Sequence, residues 1–314
     1  MKSSTNNGEA MTENRTVLER RKREHRLFNL FAAPWFIGFI LFTIIPFAAS
    51  FIISFYRWNI VEAPIYVGLE NYQDVFTDPL VIHSIKVTFK YALISVPLNF
   101  IMTFAVALLL NADIKYASTF RTIFYLPSVL SGVAMAFLWS YVFNHHFGLI
   151  NSFLRTVGVK GPNWVGDPKW TLVTVMIMNL WSAGGGIFMY LAGLQAVPQH
   201  LIEVAKLSGA GYWTRLFKIV LPSMSPVIQF SLLTGIIGAL QNFTSAYILV
   251  GGGPANSTLF FGMYIYNNAY SYRKFGKACV MAWLLFLIIF VISKLFLRIS
   301  SKMVYYENEK GEQL

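Results

Sequence analysis

The sequence predicts an all-α, polytopic membrane protein with six transmembrane helices, and three observations carry that prediction. Hydrophobic residues make up 56% of the 314-residue chain and charged residues 12%, with a mean hydropathy of +0.54. A soluble domain carries about a quarter charged residues. Six uncharged runs follow one another along the chain, most of them near the ~20 residues a helix needs to cross ~30 Å of hydrocarbon. None of these runs contains Asp or Glu.

The first run, 27–56, follows a polar segment that ends in Arg20, Arg21, Lys22, Arg23 and Arg26. It is too long for the apolar region of a cleavable signal peptide and has no small-residue cleavage site, so it is expected to remain as a span. The other runs are 91–110, 122–143, 171–194, 227–250 and 278–293, the last extended by Lys294 and Arg298 as snorkelling ends. Residues 1–26 are then a basic tail, 27–300 the membrane domain and 301–314 a second tail. With the first tail inside, inner segments hold 16 of the 25 Lys and Arg and outer segments hold 9. That asymmetry puts both termini, and the polar stretch 198–222, in the cytoplasm. It also accounts for the net charge of +11 without nucleic acid as a partner. Pro34, Pro46, Pro97 and Pro127 fall in or beside spans, where proline kinks a helix or is tolerated by its neighbours. The sole cysteine, Cys279, has no intrachain disulfide partner.

The stretch 198–222, PQHLIEVAKLSGAGYWTRLFKIVLP, reads as two short helices about a glycine break. Pro198 suits a first helical position, and Gly209 and Gly211 allow a left-handed turn. In the second helix Trp213, Leu216, Phe217 and Val220 recur at i, i+3, i+4 and i+7 and make one apolar face. Leu221-Pro222 is expected to end it. One reading of the stretch is an amphipathic loop on the lipid surface.

A sharper reading comes from the order Glu203, Ala205, Gly209-Ala210, Ile219 and Leu221-Pro222. It resembles the cytoplasmic EAA loop by which permease subunits of ATP-binding-cassette importers dock on their ATPase. That loop is usually Glu-Ala-Ala, then Asp-Gly-Ala, then Ile-x-Leu-Pro; here Val204 replaces an alanine and Ser208 the aspartate, which removes one acidic contact. Arg57-Trp58-Asn59, GLENY at 68–72, NWVGDP at 163–168 and GGGPANST at 251–258 resemble patterns of the maltose-type sugar permeases. The resemblance runs from about residue 30 to residue 300. It implies a type I importer permease bundle without a cofactor, in which Glu203, Ala205, Gly209, Ala210, Leu221 and Pro222 meet an ATPase dimer. It further implies a second, homologous permease, for which GGGPANST marks this chain as the first of a pair, and an extracytoplasmic solute-binding protein that delivers a sugar or oligosaccharide.

Enzymatic readings find little support in the residues. There is no G-x-x-x-x-G-K-[ST] phosphate loop, and His145-His146 are adjacent in an outer turn, without metal-ligand spacing. A membrane-embedded transferase would need a nucleophile or paired carboxylates, and Asp167 has no acidic or histidine companion in its loop. A stand-alone secondary carrier loads its ion on a titratable group within the membrane, which the six runs lack.

The spans do hold uncharged polar groups. In the fifth, Ser231, Thr234, Gly235, Gly238, Gln241, Asn242 and Ser245 recur at steps of three or four. Small residues there suit close helix packing, whereas Gln241 and Asn242 suit an aqueous path or bonds across helices. In the fourth, Asn179, Trp181 and Ser182 precede Gly184-Gly185-Gly186, which can loosen the helix at a binding site. Amides and aromatic rings match sugar hydroxyls and C–H faces, so Asn179, Trp181, Tyr190, Gln241, Asn242 and Tyr247 are the expected substrate path. The same kit would serve another uncharged solute.

Overall fold

The computed structural model describes residues 27–112, 115–302 and 304. The tail expected over 1–26 and most of that expected over 301–314 lie outside the described residues. Helix α1, Leu27–Ile53, leads by way of a two-residue ladder, β1 (Tyr56–Arg57) with β2 (Ile65–Tyr66), into α2 (Glu70–Thr77). The ladder is the one departure from all-helical structure among the described residues. Pro46 in α1 has no amide hydrogen and crowds the carbonyl four residues back. The helix answers by widening into a π turn over Ile40–Ile44, with the Ile45 amide donating to the Ile40 carbonyl.

Helix α3, Pro79–Asn111, runs unbroken through Pro97 and is capped by Asp78, whose carboxylate accepts from the Leu80 amide at 2.9 Å. The third apolar run, expected as one span, is instead α4 (Ala117–Val129) and α5 (Gly132–Val142), bent by 101°. Leu130 and Ser131 between them are extended, with ψ of 141° and 135°. After the short α6 (Leu149–Thr156), the fourth run is α7 (Pro168–Trp181) and α8 (Gly184–Ala196), bent by 49°. The break falls at Ser182-Ala183, and the glycine triplet opens the second helix rather than unwinding it. A Cβ on Gly184 would lie 2.5 Å from the Phe124 carbonyl oxygen, so its lack of a side chain lets α8 touch α4.

Helix α9 (Gln199–Leu207) precedes α10 (Tyr212–Ser223), which meets α11 (Ser225–Gln241) at 70°. The fifth run, expected as one helix, stops at Gln241; Asn242 is extended and α12 (Thr244–Val250) follows. Helix α13 (Phe261–Tyr266) and a π turn at Asn267–Ser271 lead to α14, Phe275–Ser300. Among the described residues three helices are unbroken and apolar enough to cross a membrane, and the count reaches six when each bent pair is one span.

Two apolar clusters hold the bundle. One, around Val87, Val175, Phe260 and Met281, lies toward the end that carries the β ladder. There Lys277 and the Tyr264 hydroxyl donate to Asp78 Oδ2 at 2.8 and 2.5 Å, tying α3, α13 and α14 together. The other cluster joins Phe104 and Leu110 of α3, Tyr190 and Leu194 of α8, and Leu216 and Met224 beside the α10–α11 bend.

Candidate functional site

Two regions of the molecule combine polar chemistry with unusual backbone. The first is the 198–222 segment. Pro198 sits one place before α9, as its cap, rather than at the first helical position. Gly209 takes φ +77°, its amide donates to the Lys206 carbonyl at 3.0 Å and the Ala210 amide to the Ala205 carbonyl at 2.9 Å. Those two bonds close α9 by the left-handed motif that only glycine enters without strain. Gly211, by contrast, is extended, with φ −67° and ψ 168°.

Leu221-Pro222 does not end the second helix. The chain absorbs Pro222 as it absorbs Pro46, through a π turn over Leu216–Val220, and the helix breaks only at Met224. The expected single apolar face is divided. Leu216 is buried and Val220 packs beside it, while Trp213 and Phe217 stack on each other at 6.1 Å and stand 66% and 61% exposed. Glu203 and Gly209 are exposed and Ala205, Ala210, Leu221 and Pro222 half-buried, so this segment offers both an anchored inner side and an open outer one.

The second region is a cavity of about 300 Å³ between α3, α7, α8 and α11. From α3 come Tyr91, Ser95 and Asn99, one helical turn apart. Asn179 and Ser182 at the α7–α8 break, with Tyr190, make a second wall. Ser231, Gly235 and Gly238 of α11, with Asn242 just beyond its end, make a third, and a Cβ on Gly238 would meet nothing within 4 Å. Asn179 donates to the Tyr91 hydroxyl at 2.8 Å and to Ser245 Oγ at 3.4 Å, while Ser245 donates to Asn242 Oδ1 at 3.0 Å. Asn242 Nδ2 is buried with no hydrogen-bond partner among the described residues. No described residue that lines the cavity carries a charge.

Of the six residues expected along the substrate path, the fold brings Asn179, Tyr190 and Asn242 into this cavity. Trp181 faces a separate apolar groove and meets the Trp139 ring edge-on at 5.7 Å. Tyr247 packs on Tyr266, and Gln241 is exposed at the end of α11. The face expected to run on through Ser245 is interrupted, because the helix stops at 241. Tyr91, Ser95 and Asn99 were not among the expected residues, although their i, i+4, i+8 spacing in an apolar run is a signal the sequence contains.

His145 and His146 remain loop residues. The His145 Nδ1 lies 3.3 Å from the Pro162 carbonyl oxygen, and no group of three or more His, Cys, Asp or Glu is placed to hold a metal among the described residues.

A helical bundle with broken apolar helices around an uncharged polar cavity has the build of a multi-pass membrane permease for a polar solute. Residues 101–304 match the family described as the binding-protein-dependent transport system inner membrane component, and the chain belongs to that family. Its members are non-catalytic permease subunits that work with separate ATPase components. The assembly typical of the family joins permease, ATPase and solute-binding protein. The chain is 36% identical over 310 residues to the probable ABC transporter permease protein YesP of Bacillus subtilis, covering 97% of this chain and 99% of that one. It is 31% identical over 290 residues to the trehalose/maltose transport system permease protein MalF of Thermococcus litoralis, covering 91% and 98%. In fold it is similar to a bacterial ABC transporter that imports the acidic polysaccharide alginate, with a TM-score of 0.81 at 22% identity, covering 92% of this chain and 100% of that one.

Proposed function

We propose that the chain is one of two homologous permease subunits of a maltose-type, ATP-driven importer for a neutral sugar or short oligosaccharide. Both termini and the 198–222 segment face the cytoplasm in this reading. An ATPase dimer engages Glu203, Ala205, Gly209 and Ala210 below, with Leu221 and Pro222 behind them, and a solute-binding protein delivers cargo from outside. Closure of the ATPases moves the segment as a lever and turns the pore between inward-facing and outward-facing states.

The observation that carries the cargo class is the cavity's chemistry: amides and hydroxyls on three walls and no charge. Sugar hydroxyls both donate and accept, so they satisfy such walls without a countercharge. A charged cargo left without a counter-ion there would meet a desolvation cost that these walls do not offset. Another uncharged solute of similar polarity is the competing reading, and the trehalose/maltose name of the Thermococcus relative favours sugar.

The test is uptake by the complete transporter in vesicles with Asn179→Ala. Loss of the amide removes the bonds to Tyr91 and Ser245 and should lower neutral-sugar uptake roughly tenfold at equal protein level, the scale of one buried hydrogen bond. Unchanged uptake would remove the cavity from the path.

A further inference from the structure

Tyr190 lies where the two regions meet. Its side chain is 1% exposed, yet its ring borders the cavity. Below, it belongs to the buried cluster that contains Leu194, Leu216 and Met224. The ring stands edge-on to Phe100 at 5.6 Å and to Phe104 at 5.7 Å. Above, its hydroxyl donates to Ser231 Oγ at 2.6 Å, a bond from α8 to the cavity-lining face of α11. Gly193, three residues along α8, touches the bend between α10 and α11, since a Cβ there would be 2.9 Å from Met224 Cε. Tyr190, Gly193 and Leu194 share one side of the helix. Met224 therefore bears on the same strip of α8 that holds the cavity wall, and Leu216 belongs to the same apolar cluster.

We propose that Tyr190 is a positioning residue for transport: its hydroxyl bond to Ser231 links the packing above the 212–224 segment to the cavity wall on α11. When the segment shifts, α8 shifts with it, and the bond carries α11 along so that the cavity changes shape. Neither the ring nor the hydroxyl needs to recognise the solute for this. The inference rests on the reading of 198–222 as the ATPase-engaging segment.

The experiment uses the complete transporter, with ATPase, partner permease and binding protein, reconstituted in vesicles. Tyr190→Phe keeps the ring and its aromatic contacts and loses only the hydroxyl; Ser231→Ala removes the other half of the bond. Solute moved per ATP hydrolysed should fall roughly threefold to tenfold in each, the range that one buried bond between neutral groups commands. The fall should persist at saturating sugar, where occupancy of the cavity no longer limits transport. The double variant should be no worse than either single one, because both remove the same bond. Three results would each overturn the proposal: unchanged sugar moved per ATP in Tyr190→Phe, losses that multiply in the double variant, or a change confined to half-saturation. Co-purification of the ATPase with wild-type chain tests the underlying reading separately: absence of the ATPase would sink that reading, whereas its presence beside a normal Tyr190→Phe would sink only the role of Tyr190.

Discussion

Asp78 shows how one carboxylate can carry several duties at a helix end. One oxygen caps α3 through the Leu80 amide, and the other accepts from Lys277 and Tyr264. Burial pushes its pKa up, but the hydrogen bonds from Lys277, Tyr264 and Leu80 and the Lys277 charge outweigh burial and hold the carboxyl below its ordinary 3.8. Tyr264 is pushed up to about 12, by burial first and by its bond to Asp78 next, so it stays a hydroxyl donor at any working pH. A depressed carboxylate contributes stability that is present above its unfolded pKa and lost as pH falls through the lower folded value. Asp78→Ala leaves Lys277 buried without its partner, and should cost roughly 3–5 kcal/mol. The gap in thermal midpoint between wild type and variant, followed in detergent, should hold from neutrality down to about pH 4 and close below it, where carboxylates protonate. A gap that closes near neutrality would show that another group carries the effect.

At the scale of elements, the same physics decided what could be read from sequence and what could not. Gly209 was legible because the left-handed turn needs one residue type at one place, and the structure puts that residue at φ +77°. Pro222 looks like a stop in the sequence, because a proline's lost amide and ring clash ordinarily end a helix. A π turn immediately upstream absorbs it, as another does before Pro46. The breaks at 130–131 and 242–243 have no glycine or proline in them; they follow from how α5 packs with α12 and α11 with α3, which no local window contains.

The segment's geometry also predicts what should disable it. Gly209→Pro cannot reach φ +77° and removes the amide that donates to Lys206. The variant should insert and fold, since the segment lies outside both apolar clusters at that point, yet lose transport by a factor of a hundred or more, on the order of ~3 kcal/mol of lost coupling. Equal membrane levels with normal uptake would remove the Gly209 turn from coupling.

For the whole molecule, the number of apolar runs and their lack of acids were legible, whereas the cavity was only partly so. Its walls come from residues near 91–99, 179–190 and 231–242, three segments that only the tertiary fold brings together. Trp181 and Tyr247 have the right chemistry for a sugar and face elsewhere, since side-chain type does not tell which way a broken helix turns.

The energy source is legible at this scale. Asp78 and Asp167 each cap a spanning helix and so stand at helix ends, Asp78 committed also to a lysine and a tyrosine. The candidate spans themselves contain no Asp or Glu, so a proton gradient has no carboxylate to load midway across the membrane. Permeases of this family work with separate ATPase components, and the proposed function assigns the work of uphill movement to such a partner. Vesicles holding this chain and the proposed second permease, but no ATPase, should equilibrate solute at most when a proton gradient is imposed. Addition of ATPase, ATP and loaded binding protein should start accumulation. Accumulation driven by a proton gradient alone would refute the assignment of work to a partner.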